Sequence, residues 1–217
     1  HRYKMMGRYV IIGRDEWGTT LDCIIGDYDN DGENEVIVTG EFQNEASLIA
    51  LKWDGKEFVK EAEWGHYPIY FPWIADVDND GYNEVIVGHG RELFVLKWDG
   101  NEFTAHKIDR FSYQIFGCVA KDSNGDGIKE IHVTFGYPSL CIYRWNGTDY
   151  AKIFEETWYG EESTIEAIDV GDVDNDGIAE VCVGTDKIHI LQWNGLSYEE
   201  EYFIGETHGC LAVTCVG

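Results

Sequence analysis

The sequence predicts an all-β fold made of four repeated units, each with four short strands. An acidic segment recurs with its first aspartate at Asp27, Asp76, Asp122 and Asp172, at intervals of 49, 46 and 50 residues. A second segment, in which tryptophan precedes Asp-Gly or Asn-Gly, recurs between the acidic segments with nearly the same period. Two independent markers that share one period of this length indicate a repeat protein.

Each unit reads as four strands in a fixed order, which the second unit illustrates. The apolar run IYFPWIADV leads into the acidic loop, YNEVIVG and ELFVLKWDG follow, and EFTAHKI closes the unit. Short runs rich in Val, Ile and aromatic residues, bounded by Gly, Asp and Asn, are typical of strands. The Trp-Asp/Asn-Gly step predicts a hairpin turn, since these dipeptides tolerate positive φ. Four-stranded units at this spacing predict a β-propeller; the alternative, a β-sandwich, leaves the repeat unexplained.

The repeats divide the chain, residues 1–217, into one predicted domain with four full blades and a partial blade. The full blades are expected at about 19–66, 67–112, 113–162 and 163–206. Residues 1–18 resemble a fourth strand and residues 207–217 resemble a first strand, so the termini are expected to share the partial blade. The chain is therefore expected to form about five blades or to be a fragment of a larger propeller.

The composition excludes several classes of function. The chain carries 16 Lys and Arg against 41 Asp and Glu, a net charge of −25, which repels nucleic acid and anionic membrane surfaces. Hydrophobic residues make up 44% of the sequence, too many for a disordered acidic chain, and no apolar run is long enough for membrane insertion. The six cysteines form no CxxC pair, and most lie in apolar runs, so we interpret them as buried small side chains.

The acidic segments follow the spacing D-x-D-x-D-G-x-x-E and predict calcium sites. Carboxylates at alternate positions repel one another unless a cation lies between them, and Ca²⁺ prefers six to eight oxygen ligands in a flexible shell. The glycine allows the loop to turn, the next residue can offer a carbonyl, and the glutamate closes the shell at the head of a strand. Mg²⁺ demands tighter geometry, and no His or Cys joins the sets to favour a transition metal. The predicted ligands are Asp27, Asp29, Asp31, Glu35, Asp76, Asp78, Asp80, Glu84, Asp122, Asn124, Asp126, Glu130, Asp172, Asp174, Asp176 and Glu180.

About four Ca²⁺ ions are therefore expected, and the third site is expected to be the weakest. In the third loop Asn124 replaces a carboxylate, and Gly125 is expected to add slack. For a single loop, a solvated acidic turn is the alternative interpretation, because Asp, Asn and Gly suit turns. Four loops with the same spacing favour a metal.

The repeats resemble FG-GAP repeats, also called VCBS repeats, over nearly the whole chain from about Leu21 to Gly217. Such repeats are found in the integrin α-chain head, in fungal propeller lectins and in many secreted bacterial and archaeal proteins. The resemblance implies a propeller, usually of seven blades, with calcium in the loop between the first and second strands. It also implies adhesion, sugar binding or scaffolding. The four full units of this chain are fewer than the usual seven.

The sequence contains no GxSxG, HExxH or phosphate-loop motif that would indicate catalysis. We therefore expect a non-enzymatic, calcium-binding module that recognises a carbohydrate or a protein. The alternatives are part of a polysaccharide-active enzyme of lyase type and a structural segment of a larger surface protein. Such calcium loops fill at extracellular concentrations, so an extracellular or cell-surface location is expected; the cysteines favour the alternative, the cytoplasm.

The recognition surface is expected at the end of the propeller opposite the calcium loops. The links from fourth to first strand differ between units, and variable loops on a rigid scaffold commonly carry binding residues. Aromatic rings in these links could stack on a sugar or hold a peptide; covering the end of the core is their alternative role. The repeated tryptophans are interpreted as packing residues instead. The candidate ligand-binding residues are Trp17, Trp64, His66, Tyr67, Tyr70, Trp158 and Tyr159.

Overall fold

The computed structural model of the chain describes residues 18–42, 46–159 and 167–204, and within these ranges it contains strands and no helix. No membrane-spanning helix is therefore found in this part of the chain. The first sheet contains β1 (Gly18–Gly26), β2 (Glu35–Phe42), β3 (Leu48–Trp53) and β4 (Phe58–Trp64). The second contains β5 (Ile69–Ala75), β6 (Glu84–His89), β7 (Glu92–Trp98) and β8 (Phe103–Arg110). The third contains β9 (Ile115–Lys121), β10 (Glu130–Phe135), β11 (Ser139–Trp145) and β12 (Tyr150–Thr157). The fourth contains β13 (Ala167–Gly171), β14 (Glu180–Gly184), β15 (Ile188–Trp193) and β16 (Tyr198–Ile204).

Each sheet is an antiparallel meander whose strands pair in chain order, so the predicted all-β fold of four-stranded blades is confirmed. The first strands of consecutive sheets lie side by side, β1 against β5, β5 against β9 and β9 against β13. This arrangement is that of consecutive propeller blades. The described residues form four blades and no closed sheet. The predicted partial blade, residues 1–18 and 207–217, lies outside the described residues except for Gly18, which begins β1, and the assignment of the chain to one domain stays a prediction.

The hydrophobic core lies between neighbouring blades. One cluster of buried side chains joins Ile37 and Leu48 of the first blade to Val85 and Val87 of the second. Similar clusters join the second blade to the third and the third to the fourth. The second strand of the third blade, β10, is buried along its whole length, whereas the fourth strand of the second blade, β8, is mostly exposed. A single four-stranded sheet cannot cover its own faces, so each blade is stabilised mainly by its neighbours.

The repeated tryptophans pack as the sequence predicts. Each indole contacts the aromatic ring five residues later, across the hairpin. The ring centroids are 5.2 Å apart for Trp53 and Phe58 and 4.9 Å apart for Trp145 and Tyr150. Trp98 also contacts Tyr28 of the preceding blade, at 5.6 Å. These rings therefore stabilise both the hairpin and the contact between blades.

The turn after each tryptophan forms by a different mechanism from the one predicted. Only the glycine takes a positive φ, 95° at Gly55, and the aspartate before it does not. Asp54 instead accepts hydrogen bonds through Oδ1 from the backbone N–H groups of Lys56 and Glu57, both at 2.8 Å. Aspartate and asparagine recur here because either side chain can cap the turn in this way.

Three of the four described cysteines agree with the interpretation as small core residues. Cys118, Cys141 and Cys182 are buried, whereas Cys23 is exposed on β1. Burial raises the pKa of the Cys118 thiol to about 12, which keeps it protonated and unreactive. Cys210 and Cys215 lie outside the described residues.

Candidate metal centres and the opposite face

Three of the four acidic loops bring carboxylates together where the second strand of a blade begins. In each loop, one oxygen from the first aspartate, one from the second and one from the final glutamate lie within 4.8 Å of one another. Such spacing allows several oxygens to contact one cation. The clusters are Asp27, Asp29 and Glu35; Asp76, Asp78 and Glu84; and Asp172, Asp174 and Glu180.

The first loop shows how the sequence produces this arrangement. Asp27 accepts hydrogen bonds from the backbone N–H groups of Asp31, at 3.1 Å, and Gly32, at 3.0 Å. Asp29 accepts another from the N–H of Asp31, at 3.1 Å. The chain folds back this tightly because Asn30 adopts a left-handed conformation, φ 63°, which asparagine tolerates better than most residues. The residues with the same conformation in the later loops are Asn79, Gly125 and Asn175.

The glutamate that ends each loop is the first residue of the second strand, and its side chain is buried. Burial raises the pKa of Glu35, Glu84 and Glu130 to about 7. The equivalent Glu180 is also fully buried. A buried carboxylate is destabilising unless hydrogen bonds or a cation compensate for its lost hydration.

Two of these clusters contain buried oxygens that lack a hydrogen-bond donor among the described residues. Both carboxylate oxygens of Glu35 and Oδ1 of Asp76 are in this state. An unsatisfied buried acceptor costs about 1–3 kcal/mol, and a cation inside the cluster would remove that cost. The donor sets consist only of oxygens, which suits a hard cation. The clusters could therefore hold a metal ion.

A lysine from the third strand reaches into the first loop. The Nζ of Lys52 lies 2.8 Å from Asp29 Oδ2, 2.5 Å from Asp31 Oδ2 and 3.2 Å from Glu35 Oε1. The contact with Glu35 is an ion pair without hydrogen-bond alignment, which is why the glutamate oxygens still lack a donor. One ammonium group therefore contacts three of the four predicted ligands of this loop.

The second and third repeats place a cation at the same point. The Nζ of Lys97 contacts Asp78 and lies 2.8 Å from Asp80 Oδ2 and 3.4 Å from Glu84 Oε1. The guanidinium of Arg144 contacts Asp126 in the third loop. Lys97 and Arg144 therefore place a positive charge, supplied by the protein itself, beside the carboxylates of these two loops.

The fourth repeat places a neutral amide there instead. The Nε2 of Gln192 donates hydrogen bonds to Asp176 Oδ2 and Glu180 Oε1, both at 3.0 Å. Sequence reasoning missed this position in all four repeats, although the signal was available: the residue before each repeated tryptophan reads K, K, R and Q. The residues concerned are Lys52, Lys97, Arg144 and Gln192.

The third loop does not bring its carboxylates into such a cluster among the described residues. Asn124 Nδ2 donates to Glu130 Oε1 at 2.6 Å, and the backbone N–H of Ser123 donates to Glu130 Oε2 at 3.0 Å. Glu130 thus has a donor for each oxygen without an ion. Gly125 does not add the expected slack, because at φ 77° it adopts the conformation that asparagine takes in the other loops. That the third site is the weakest stays a prediction.

The substitution Asn124→Asp is expected to strengthen cation binding at the third loop and to destabilise the metal-free protein. It replaces the amide donor to Glu130 with a second carboxylate, so repulsion rises unless a cation is present. We expect one additional or tighter binding event in calorimetric titration with Ca²⁺ and a lower melting temperature in EDTA. Asn146→Asp is the matched control, because the first two repeats carry aspartate at that turn. A third site that is already the tightest in the wild type would contradict this ranking.

The first two loops are tied together across the gap between their blades. The backbone N–H of Asn83 donates to Asn30 Oδ1 at 2.6 Å, and Asn83 Nδ2 donates to the carbonyl oxygen of Asp27 at 2.8 Å. A cavity of about 790 Å³ opens beside them and is lined by carboxylates that include Asp29 and Asp80. The conformation of the first loop is therefore linked to the packing of blades one and two.

The end of the blades opposite the loops carries a second cavity, of about 400 Å³. The links β4–β5 and β8–β9 and the turn β6–β7 meet here. Among the lining residues are Tyr67, Tyr70, His89, Arg91 and Arg110. The ring of Tyr67 is 72% exposed. No sequence pattern points to His89, Arg91 and Arg110, because only the tertiary fold brings the three segments together.

Two of the seven predicted ligand-binding residues, Tyr67 and Tyr70, line this cavity. Trp64 lies behind it: its half-buried ring makes edge contacts with His89, at 5.6 Å between centroids, and with Phe94, at 5.3 Å. Trp64 is thus partly a packing residue, which is the alternative role considered for these rings.

The other predicted ligand-binding residues either are not among those that line this cavity or lie outside the described residues. Trp158 is half-buried and stacks on His189, with centroids 4.4 Å apart. Tyr159 is 92% exposed, and His66 is also exposed. Trp17 lies outside the described residues.

Comparison with known proteins agrees with this architecture. A sequence profile described as FG-GAP-like repeat matches residues 76–133 and 122–183, which include the second, third and fourth acidic loops. A search of curated proteins returned no significant match.

Two solved structures are similar in fold. One is a lectin from Agrocybe aegerita, described as specifically recognising non-reducing terminal N-acetylglucosamine; the TM-score is 0.55 at 14% identity, covering 83% of this chain and 51% of that chain. The other is BBS1N in complex with ARL6DN, from a crystal soaked with lead, with a TM-score of 0.57 at 14% identity, covering 85% of this chain and 56% of that chain. This chain thus spans about half the length of the structures it matches.

At 14% identity these likenesses show the fold alone. The family match, the repeated loops and the four-stranded blades together identify the chain as an FG-GAP repeat protein of β-propeller type.

Proposed function

We propose that this protein is a calcium-stabilised recognition module that binds a glycan through the end opposite its acidic loops and catalyses no reaction. The observation that carries the proposal is the separation of the two ends. Repeated carboxylate loops lie at one end, and a cavity lined by non-repeated aromatic and basic side chains lies at the other.

Calcium is the metal that the loops suit best. Asp27, Asp29 and Glu35 would hold an ion in the first loop, and the equivalent residues would do so in the second and fourth. A bound Ca²⁺ would neutralise the repulsion between these carboxylates and supply a partner for the orphaned oxygens of Glu35. Loops of this kind fill at the millimolar calcium concentrations found outside cells, so the proposal includes an extracellular or cell-surface location.

A glycan is the ligand class that the opposite cavity suits best. The exposed ring of Tyr67 offers an apolar face for stacking, and Arg91 and Arg110 offer donors for sugar hydroxyl groups. Small-molecule sites commonly combine an aromatic wall with a few such polar groups. The similar lectin supports a sugar over other ligands, and the similar BBS1N–ARL6DN complex supports a protein surface as the alternative ligand.

The substitution Tyr67→Ala is expected to reduce glycan binding at least about tenfold while leaving the melting temperature nearly unchanged. Stacking energy of about 1.4 kcal/mol corresponds to that factor, and an exposed ring contributes little to the core. Binding is measured on a glycan array and by titration with the best array ligand. Tyr82→Ala is the control, because that tyrosine is 62% exposed at the acidic end of the same blade. A wild-type protein that binds no glycan, or a Tyr67→Ala variant that binds normally, would contradict the proposal.

A polysaccharide lyase is the second candidate, and one observation favours it. The cavity places His89, Arg91 and Arg110 near two tyrosines, and basic groups are few in this acidic chain, 16 Lys and Arg against 41 Asp and Glu. Burial lowers the pKa of His89, so its imidazole is neutral at pH 7 and able to accept a proton. The test is to incubate the protein with acidic polysaccharides and to measure the ultraviolet absorbance of an unsaturated product. Formation of that product would favour the lyase over the non-catalytic recognition module.

A further inference from the structure

We infer that the side chain before each repeated tryptophan sets the cation affinity of its loop: Lys52, Lys97 and Arg144 act as tethered counter-ions that compete with a metal ion, and Gln192 leaves the fourth loop as the strongest site. The inference rests on the proposed cation binding. It assigns a role to residues of the third strand, outside the D-x-D-x-D-G-x-x-E segments.

In the first two loops, the lysine ammonium group contacts the same carboxylates that would bind a metal ion. Lys52 Nζ contacts the same carboxylates, Asp29 and Glu35, that would hold an ion. Lys97 repeats the arrangement one blade later with Asp78 and Glu84. An ammonium group so close to these oxygens neutralises part of their charge, and it repels an incoming cation.

The repetition of the contact makes it more than a chance surface ion pair. The chain has only 16 basic residues against 41 acidic ones, yet three of them occupy this one position on successive third strands. All three side chains are half-buried against the blade, so their positions are restricted compared with those of solvent-exposed lysines. Among the described residues, a basic side chain of the third strand therefore contacts each of the first three acidic loops, whereas none contacts the fourth.

The side chain that contacts the fourth loop is uncharged, but it donates hydrogen bonds to the equivalent carboxylates. Gln192 donates to Asp176 and Glu180 at 3.0 Å but brings no positive charge. In the described ranges, no lysine or arginine forms an ion pair with the carboxylates of this loop. Within the described part of the chain, its cluster of Asp172, Asp174 and Glu180 thus has no basic counter-ion. The repulsion between these carboxylates would be relieved by an external cation.

Two opposite consequences follow for the metal-free and metal-bound protein. Without metal, the first three loops keep their conformation because an internal cation holds the carboxylates, and the fourth loop is the least stable. In the presence of metal, cation binding stabilises the fourth loop the most, because no tethered charge has to be displaced from it. The first three sites then fill only at higher metal concentrations.

The test exchanges lysine and glutamine between two loops, in the variants Lys97→Gln and Gln192→Lys. Calorimetric titration with Ca²⁺ measures the affinities, and thermal melting in EDTA measures the metal-free stability. We expect Lys97→Gln to tighten one site at least about tenfold and to lower the melting temperature in EDTA. We expect Gln192→Lys to weaken the tightest site at least about tenfold and to raise the melting temperature in EDTA.

The control is Lys107→Gln, which makes the same change of charge in the same blade. Lys107 contacts Glu92, at 3.3 Å, away from the acidic loop, so neither calcium affinity nor melting in EDTA should move as in Lys97→Gln. If Lys97→Gln fails to fold, Gln192→Lys decides alone, because it adds a charge that the other three repeats already accommodate.

The outcomes distinguish a failure of this inference from a failure of the proposed function. Weaker or unchanged calcium binding in Lys97→Gln, or unchanged binding in Gln192→Lys, would overturn the competition while leaving calcium binding intact. A wild-type protein that binds no calcium would overturn both. In that case the melting comparison in EDTA would still show whether the lysines act as structural counter-ions.

Discussion

Removal of calcium with EDTA is expected to lower the melting temperature of this protein by more than about 15 °C, and excess Ca²⁺ should restore it. A ligand that binds only the folded state stabilises it by about 2.7 kcal/mol per site at a hundredfold excess over Kd, or about 8 kcal/mol for three loops. For a domain of this length, 1 kcal/mol shifts the melting temperature by about 2–4 °C. Calorimetric melting with EDTA and with added Ca²⁺ measures the difference.

Mg²⁺ serves as the control for this experiment. It prefers a smaller, octahedral shell and keeps its waters, so it should restore much less of the lost stability than Ca²⁺ at the same concentration. Loss of the ion from the first loop should also affect the packing of the blades, since this loop is hydrogen-bonded to the second blade through Asn30 and Asn83. An unchanged melting curve after verified removal of bound metal would refute the calcium proposal.

The substitution Glu35→Gln is expected to have opposite effects in the absence and presence of calcium. At pH 8 the buried carboxyl of Glu35, whose pKa burial raises to about 7, is ionised, and neither oxygen has a hydrogen-bond donor among the described residues. Removal of this charge should raise the free energy of unfolding in EDTA by about 1–3 kcal/mol. In saturating Ca²⁺ the same variant should lose the first site and about 2.7 kcal/mol of stability.

The exposed Glu57 provides the matched control. Glu57→Gln removes one negative charge from the same blade, outside the acidic loop, so it should shift stability equally little in EDTA and in calcium. Denaturant unfolding of both variants under the two conditions measures the four free energies. A Glu35→Gln variant that is destabilised in EDTA would contradict this prediction, because it would show that the ion pair with Lys52 stabilises the ionised carboxyl group by more than its burial costs.

The repeat in the sequence was sufficient to predict the blades. The alternation of apolar runs with Asp, Asn and Gly turns fixes where a strand begins and ends, and the β5 run beginning at Ile69 and the turn at Asp54 both occur where the pattern indicates. These features are local, because strand and turn propensities depend on near neighbours in the chain.

The carboxylates of the candidate metal centres were also predictable, because one short loop supplies all of them. Hydrogen bonds made inside a nine-residue segment hold Asp27 and Asp29, and Glu35, which ends this segment, lies beside them. Lys52 lies seventeen residues after that segment, and only the pairing of β2 with β3 brings it beside Glu35. The repeated spacing within the loops therefore does not predict the lysine that lies beside their carboxylates.

The sequence by itself determined the all-β blades, the four acidic loops and the packing role of the repeated tryptophans, since each follows from residues close together in the chain. Only the tertiary structure decided which side chains share a site. Antiparallel pairing carries Lys52, Lys97, Arg144 and Gln192 to the acidic loops. Three separate links meet to place Tyr67 beside Arg91 and Arg110. Such contacts join residues far apart in sequence, and no local pattern encodes them because their proximity depends on the register and packing of whole strands.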